Sequence, residues 1–70
     1  MEEKIKNWFC YHAPRGQEDI DRYTRIRDAG REFALLLAQE TPPGADQTAA
    51  IRKVREAVMT ANAAIACGGG

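Results

Sequence analysis

Histidine occurs once in this sequence, as His12, and cysteine twice, as Cys10 and Cys67, with no CxxC or CxxH spacing. One imidazole cannot build a multi-histidine metal site within the chain. Two cysteines so far apart make no disulfide framework; a single bridge would only tie the chain ends together. Both are expected as thiols of a reducing compartment. A charge surplus is missing as well, since ten Lys and Arg balance ten Asp and Glu. A protein that coats DNA or RNA needs a basic excess to displace counterions, so no nucleic-acid polymer is expected as partner. No apolar run is long enough to cross a bilayer. The opening MEEKIKNWFCYH lacks the apolar stretch of a secretory signal, so neither membrane nor export is expected.

Length is also short, at 70 residues. A chain of that size buries only roughly 60% of the surface its unfolded form exposes. A private core then rarely supplies more than about 3–5 kcal/mol. Small folds add disulfides, a metal or a partner chain; with the first two poorly supported, self-association is the expected staple.

What is present is helical. Residues 1–15 form an N-terminal arm, either a short helix or an extended piece, in which Trp8 and Phe9 are expected to plug the end of a helix pair. Pro14 disfavours the helical conformation at Ala13 and ends any regular structure there. From Gly16 to Glu40 the residues Ile20, Tyr23, Arg27, Gly30, Ala34 and Leu37 advance by three and four, as a continuous helix face does. Ile26, Ala29, Phe33 and Leu36 run beside them, which widens the stripe enough for more than one neighbouring helix. Glu18 and Asp19 place negative charge in the first turn behind a Gly16 N-cap. Thr41-Pro42-Pro43-Gly44 stops this helix. A second helix starts near Gly44, with Gln47 at the third helical position of an incomplete capping box. Ile51, Val54, Val58, Ala61 and Ile65 carry its periodicity to about Cys67, where Gly68-Gly69-Gly70 ends it in a flexible tail. The fold class is therefore all-α: an antiparallel two-helix hairpin over 16–67, assembled into a homo-oligomeric bundle. Seven alanines of the second helix fit close approach of several neighbours, which one hairpin cannot provide.

Little of this points to catalysis. Cys10 lies two residues from His12, yet a catalytic thiolate also needs an orienting group and a formed pocket. Glu18–Arg22, Asp21–Arg25 and Asp28–Arg31 have the spacing of helical surface ion pairs. Arginine is more informative. Tyr23, Arg27 and Arg31 lie one turn apart on one side, and Arg27 interrupts an apolar stripe. It must pair, snorkel or meet an anion there. Gly30 costs about 1 kcal/mol relative to alanine in mid-helix and lets something approach the backbone. That something is either another helix or a ligand. Tyr11 and His12 on the restricted arm suit stacking on a nucleobase; equally, Tyr11 could cap the end of the bundle. Flat rings together with guanidinium forks are what a small cyclic nucleotide requires. Asn62, an amide among alanines, either fixes register through an interchain hydrogen bond, the favoured reading, or contacts a ligand.

Tyr11-His12-Ala13-Pro14, Gln17, Arg22-Tyr23, Ile26-Arg27, the proline loop and the run Glu56-Ala57-Val58-Met59-Thr60-Ala61-Asn62-Ala63-Ala64-Ile65-Ala66 resemble one family. It is that of the phage anti-CBASS cyclic-oligonucleotide sponges, whose helical hairpin is shared with anti-Thoeris sponges. The likeness extends over about residues 9–67. It implies homo-hexamers of interlocked hairpins that sequester cyclic dinucleotides, in some members cyclic trinucleotides, without cleaving them. The host effector is then not activated, and the place of action is the cytoplasm of the infected bacterium. The family's pocket implies a stacking role for Tyr11 or His12 and a phosphate role for Arg27. Gly30 and Arg31 join on physical grounds alone, one turn along. Anti-Thoeris relatives carry strands before the hairpin, for which this chain has little room, so cyclic ADP-ribose is the less expected ligand. No cofactor and no enzymatic activity are expected. Two rival readings are a helical interaction protein without a nucleotide ligand, and a phosphodiesterase acting on the same nucleotide.

Overall fold

A computed structural model describes residues 1–68, which form three helices: α1 (Glu2–Trp8), α2 (Gln17–Glu40) and α3 (Ala45–Ala66). Glycine and proline set the boundaries. Gly16, with φ +132°, occupies a backbone region that residues with a Cβ rarely enter, and α2 starts directly after it. At the other end Pro42 forces Thr41 into an extended conformation, φ −119° and ψ 147°. Thr41 then turns its N–H and its hydroxyl back onto the carbonyl of Leu37. Gln47 completes the turn from the far side. Its side-chain amide donates to the carbonyls of Ala38 at 3.2 Å and Thr41 at 2.9 Å, so it caps the end of α2 instead of building a box at the start of α3. The end of α3 is closed by Gly68, φ +65°, whose N–H donates to the Ile65 carbonyl. Gly69 and Gly70, the rest of the expected tail, lie outside the described residues.

The two long helices pack as an antiparallel pair. Half-buried positions are Tyr23, Ile26, Gly30, Ala34 and Leu37 on α2, and Ile51, Val54, Val58, Ala61 and Ile65 on α3. They belong to the stripes that the periodicity marks, of which Ile20, Ala29, Phe33 and Leu36 stay exposed. Among the described residues no apolar side chain is buried; Asp19, 7% exposed, is the one residue that is. The molecule measures 43 × 29 × 14 Å, and its thinnest dimension is little more than one helix diameter. Two helices in a single layer have no interior to fill. The chain exposes 5609 Å², whereas a compact monomer of this mass exposes about 4,400 Å². The excess of about 1,200 Å² is on the scale of a protein–protein interface. Phe33, Leu36 and Met59 each stay at least half exposed.

The helices come closest at Gly30. A Cβ built there would collide with Cγ2 of Val58 and lie 3.9 Å from Cγ1 of Val54. Valine on a helix holds one side-chain rotamer, so Val58 cannot swing aside. Gly30→Ala would therefore gain about 1 kcal/mol of helix propensity but overpack the crossing by about 1–3 kcal/mol. The expected outcome is net destabilisation in chemical denaturation at fixed protein concentration. Val58→Ala in the same chain should relieve it, so that the double variant is less destabilised than the sum of the singles. Strict additivity would show that this contact does not set the helix separation.

Candidate functional site

The hairpin presents two unlike clefts, one on each side of the helix crossing. On one side Ile26, Ala29, Phe33 and Leu37 of α2 face Ala50, Ala57 and Ala61 of α3 across a groove of about 630 Å³, with Lys53 as its sole charged wall. Bulky residues on one helix oppose alanines on the other, so the groove stays wide and apolar. The opposite side is smaller, about 240 Å³, and bordered by basic residues: Arg27 and Arg31 come from α2, Arg55 from α3. Gly30, Ala34, Ile51, Val54, Val58 and Met59 make its apolar floor. Helical spacing explains both walls, since 27, 31 and 34 follow one side of α2, and 51, 55 and 59 one side of α3.

This basic cleft gathers three of the five residues expected in the site, Arg27, Gly30 and Arg31. Gly30 contributes by admitting Val58. Arg55 escapes a reading of one helix at a time. The signal for it lies in the hairpin register: Gly30 meets Val54 and Val58, so one residue onward Arg31 comes level with Arg55. The ion pairs leave this cleft largely unneutralised. Glu18 takes Arg22 at 2.8 Å, as its spacing suggests. Asp21 instead accepts from Gln17 at 2.8 Å and not from Arg25, and Arg31 approaches Glu32 at 3.8 Å rather than Asp28. Exposed pairs of this kind contribute roughly 0–1 kcal/mol each. Among the described residues, Arg27 and Arg55 have no carboxylate partner.

Tyr11 and His12 are elsewhere. They belong to the arm, which is latched to the open end of the hairpin. Asn7 donates from its amide to the carbonyl of Cys67 at 3.1 Å. The carbonyl of Asn7 accepts His12 Nε2 at 2.7 Å and the Cys67 thiol at 3.8 Å. Arg15 donates through Nη2 to the Ile65 carbonyl at 2.6 Å and through its backbone N–H to Asp19 Oδ2 at 3.0 Å. Its Nε reaches the same oxygen at 3.1 Å. Side chains of the arm thus cap α3, whose last carbonyls have no partners within the helix. His12 is spent on this latch, while Tyr11 stands 88% exposed beside it. Phe9 is 85% exposed, so it plugs nothing within one chain, while Trp8 is 49% exposed. Arg27 lies eleven residues beyond Gly16, which on a helix is about 16 Å from the arm. One chain therefore keeps the aromatic and the basic halves of the expected site apart. Asn62 Oδ1 is enclosed and has no hydrogen-bond partner in the chain.

The described residues contain no group of three or more His, Cys, Asp and Glu placed to hold a metal ion. No helix is long and apolar enough to cross a membrane. In comparisons with known proteins, a family model described as the Acb2/Tad1 hairpin domain matches residues 1–66. No curated protein and no solved structure matches.

The latch also has a pH signature. The hydrogen bond from the Arg15 backbone, then that from its side chain, hold the Asp19 carboxyl below its usual range despite some desolvation. A carboxylate whose folded pKa is depressed stabilises the fold above its unfolded value of about 3.9 and loses that contribution as pH falls through the lower folded value. Asp19→Asn should therefore lower thermal stability at pH 7, and the gap to the unsubstituted protein should close only below about pH 4. A gap that stays constant from pH 7 to pH 3 would remove the carboxylate from the latch.

Proposed function

The chain belongs to the Acb2/Tad1 hairpin family of phage sponges for cyclic nucleotides, and on that premise we propose that it sequesters cyclic oligonucleotide messengers, cyclic dinucleotides first. It holds them without cleavage, below the level that fires a CBASS effector in the cytoplasm of the infected host. One observation carries the reading. Arg27 and Arg31 sit in one basic cleft, and the exposed ring of Tyr11 sits at the far end of the same hairpin. A pocket that needs both must be composite, with the arm of one copy meeting the cleft of another. Uncovered apolar surface supports the same assembly, because the groove walled by Phe33, Leu37 and the alanines of α3 suits a second copy. A homo-hexamer is the subunit count we propose on family grounds.

In this arrangement Tyr11 stacks on a base, His12 orients the arm through Asn7, and Arg27 with Arg31 neutralises phosphate. Holding a messenger at submicromolar concentration requires more than about 8 kcal/mol of binding free energy. Several charge-assisted hydrogen bonds of about 1.5–3 kcal/mol each are enough for that. Cyclic trinucleotides are a further proposed ligand.

Native mass spectrometry with a mixed panel of cyclic di- and trinucleotides tests this directly. An oligomer that gains discrete nucleotide masses and releases them unchanged on denaturation is the expected result. Ligand recovered as linear or shortened products would indicate a phosphodiesterase instead. An oligomer that takes up nothing would favour the interaction-protein reading, and a clean monomer would overturn the composite pocket. Tyr11→Ala and Arg27→Ala should each weaken binding at least tenfold with the subunit count intact; unchanged affinity in either would remove that residue from the site.

A further inference from the structure

The chain carries ten lysines and arginines, and their partners sort them by availability. Arg15 is consumed by Asp19 and the end of α3, and Arg22 by Glu18. Lys6 pairs with Glu2 on α1. Arg31 touches Glu32 only at 3.8 Å, a length at which a charge-assisted hydrogen bond is not made. Lys4, Arg25, Arg27, Arg52, Lys53 and Arg55 have no ion-pair partner among the described residues, and of these Arg27 and Arg55 line one concave, otherwise apolar surface with Arg31. Three like charges around a floor of Gly30, Ala34, Val54 and Val58 favour an anion there.

From this geometry we infer that Arg55, on α3, is a ligand-binding residue that joins Arg27 and Arg31 around one cleft to hold a phosphodiester group. The inference rests on the sponge reading and deepens it, assigning one phosphate of the cyclic oligonucleotide to residues of both long helices. Guanidinium is the suitable group, because its planar fork donates two parallel hydrogen bonds to a phosphate. The floor contributes as well. Gly30 and Ala34 on α2 and Val54 and Val58 on α3 carry no polar group in their side chains, so the arginines are the hydrogen-bond donors a phosphate would meet there. Register fixes the pairing across the cleft: Arg31 lies level with Arg55, while Arg27 lies level with the apolar Met59. The two sides of the hairpin thus have distinct tasks, an apolar groove that receives protein and a basic cleft that receives anion.

Calorimetric titration with the cyclic nucleotide taken up by the full-length protein, paired with native mass spectrometry, tests the assignment. Arg55→Ala should weaken binding at least tenfold at an unchanged subunit count. Arg55→Lys, which keeps the charge and loses the fork, should fall between the two. Arg52→Ala, one helical turn away and outside the cleft, should bind as the unsubstituted protein does. Undiminished affinity of Arg55→Ala, with Arg27→Ala impaired, would overturn the inference and leave the sponge reading standing. A changed subunit count in Arg55→Ala would also overturn it, assigning Arg55 to a carboxylate of a neighbouring copy. Absence of any uptake by the unsubstituted protein would overturn both.

Discussion

Val58 rests directly on the backbone of α2 because residue 30 has no side chain, and most of the molecule's architecture depends on that contact. It lets two helices approach closely enough to bury a stripe each, and it fixes which residues of α2 stand beside which of α3. The same crossing separates the hairpin into two sides of opposite character. With any larger residue at position 30 the helices would separate or slide, and the walls of both clefts would move with them. Gly30 costs helix propensity locally and sets the register globally. A packing residue can in this way decide the geometry of the clefts on both sides of it.

A single layer of two helices has no third dimension in which to build a core. Apolar side chains here are only partly covered, and the one buried residue is a carboxylate held by arginine. In the proposed oligomer such a chain would draw stability from its neighbours, and mass action would make that stability depend on its own concentration. Assembly and ligand binding would be linked for the same reason. The aromatic arm and the basic cleft are about 16 Å apart on one hairpin, so a site that uses both exists only where copies meet.

Much of this was legible in the sequence. The boundaries of α2 and α3 followed from Gly16, from Pro42 acting on Thr41, and from Gly68, because each restricts the backbone by itself. The grouping of Arg27, Gly30 and Arg31 followed from helical spacing along one element. Arg55 was not legible in the same way, since its neighbours belong to another helix and only the register brings them together. The arm was harder still. Whether residues 2–8 coil or extend depends on Asn7 finding Cys67, sixty positions later, and no local pattern encodes that meeting. Phe9 misled for a related reason: hydrophobicity says that a ring wants cover, and says nothing about where that cover comes from.

The latch formed by Asn7, His12, Arg15 and Asp19 brings the two ends of the polypeptide side by side. Contacts within the hairpin close outward from the proline turn, each a short loop beyond the last. The latch joins residues about sixty positions apart, and such distant contacts carry a larger entropic cost of closure. A handful of polar bonds at an edge, with little apolar area beneath them, also places this region at the low end of the local-stability range. The arm is accordingly the last piece to dock when the chain folds and the first to lift when it breathes. Its amides are the ones to exchange with solvent earliest, well before the helix crossing loosens.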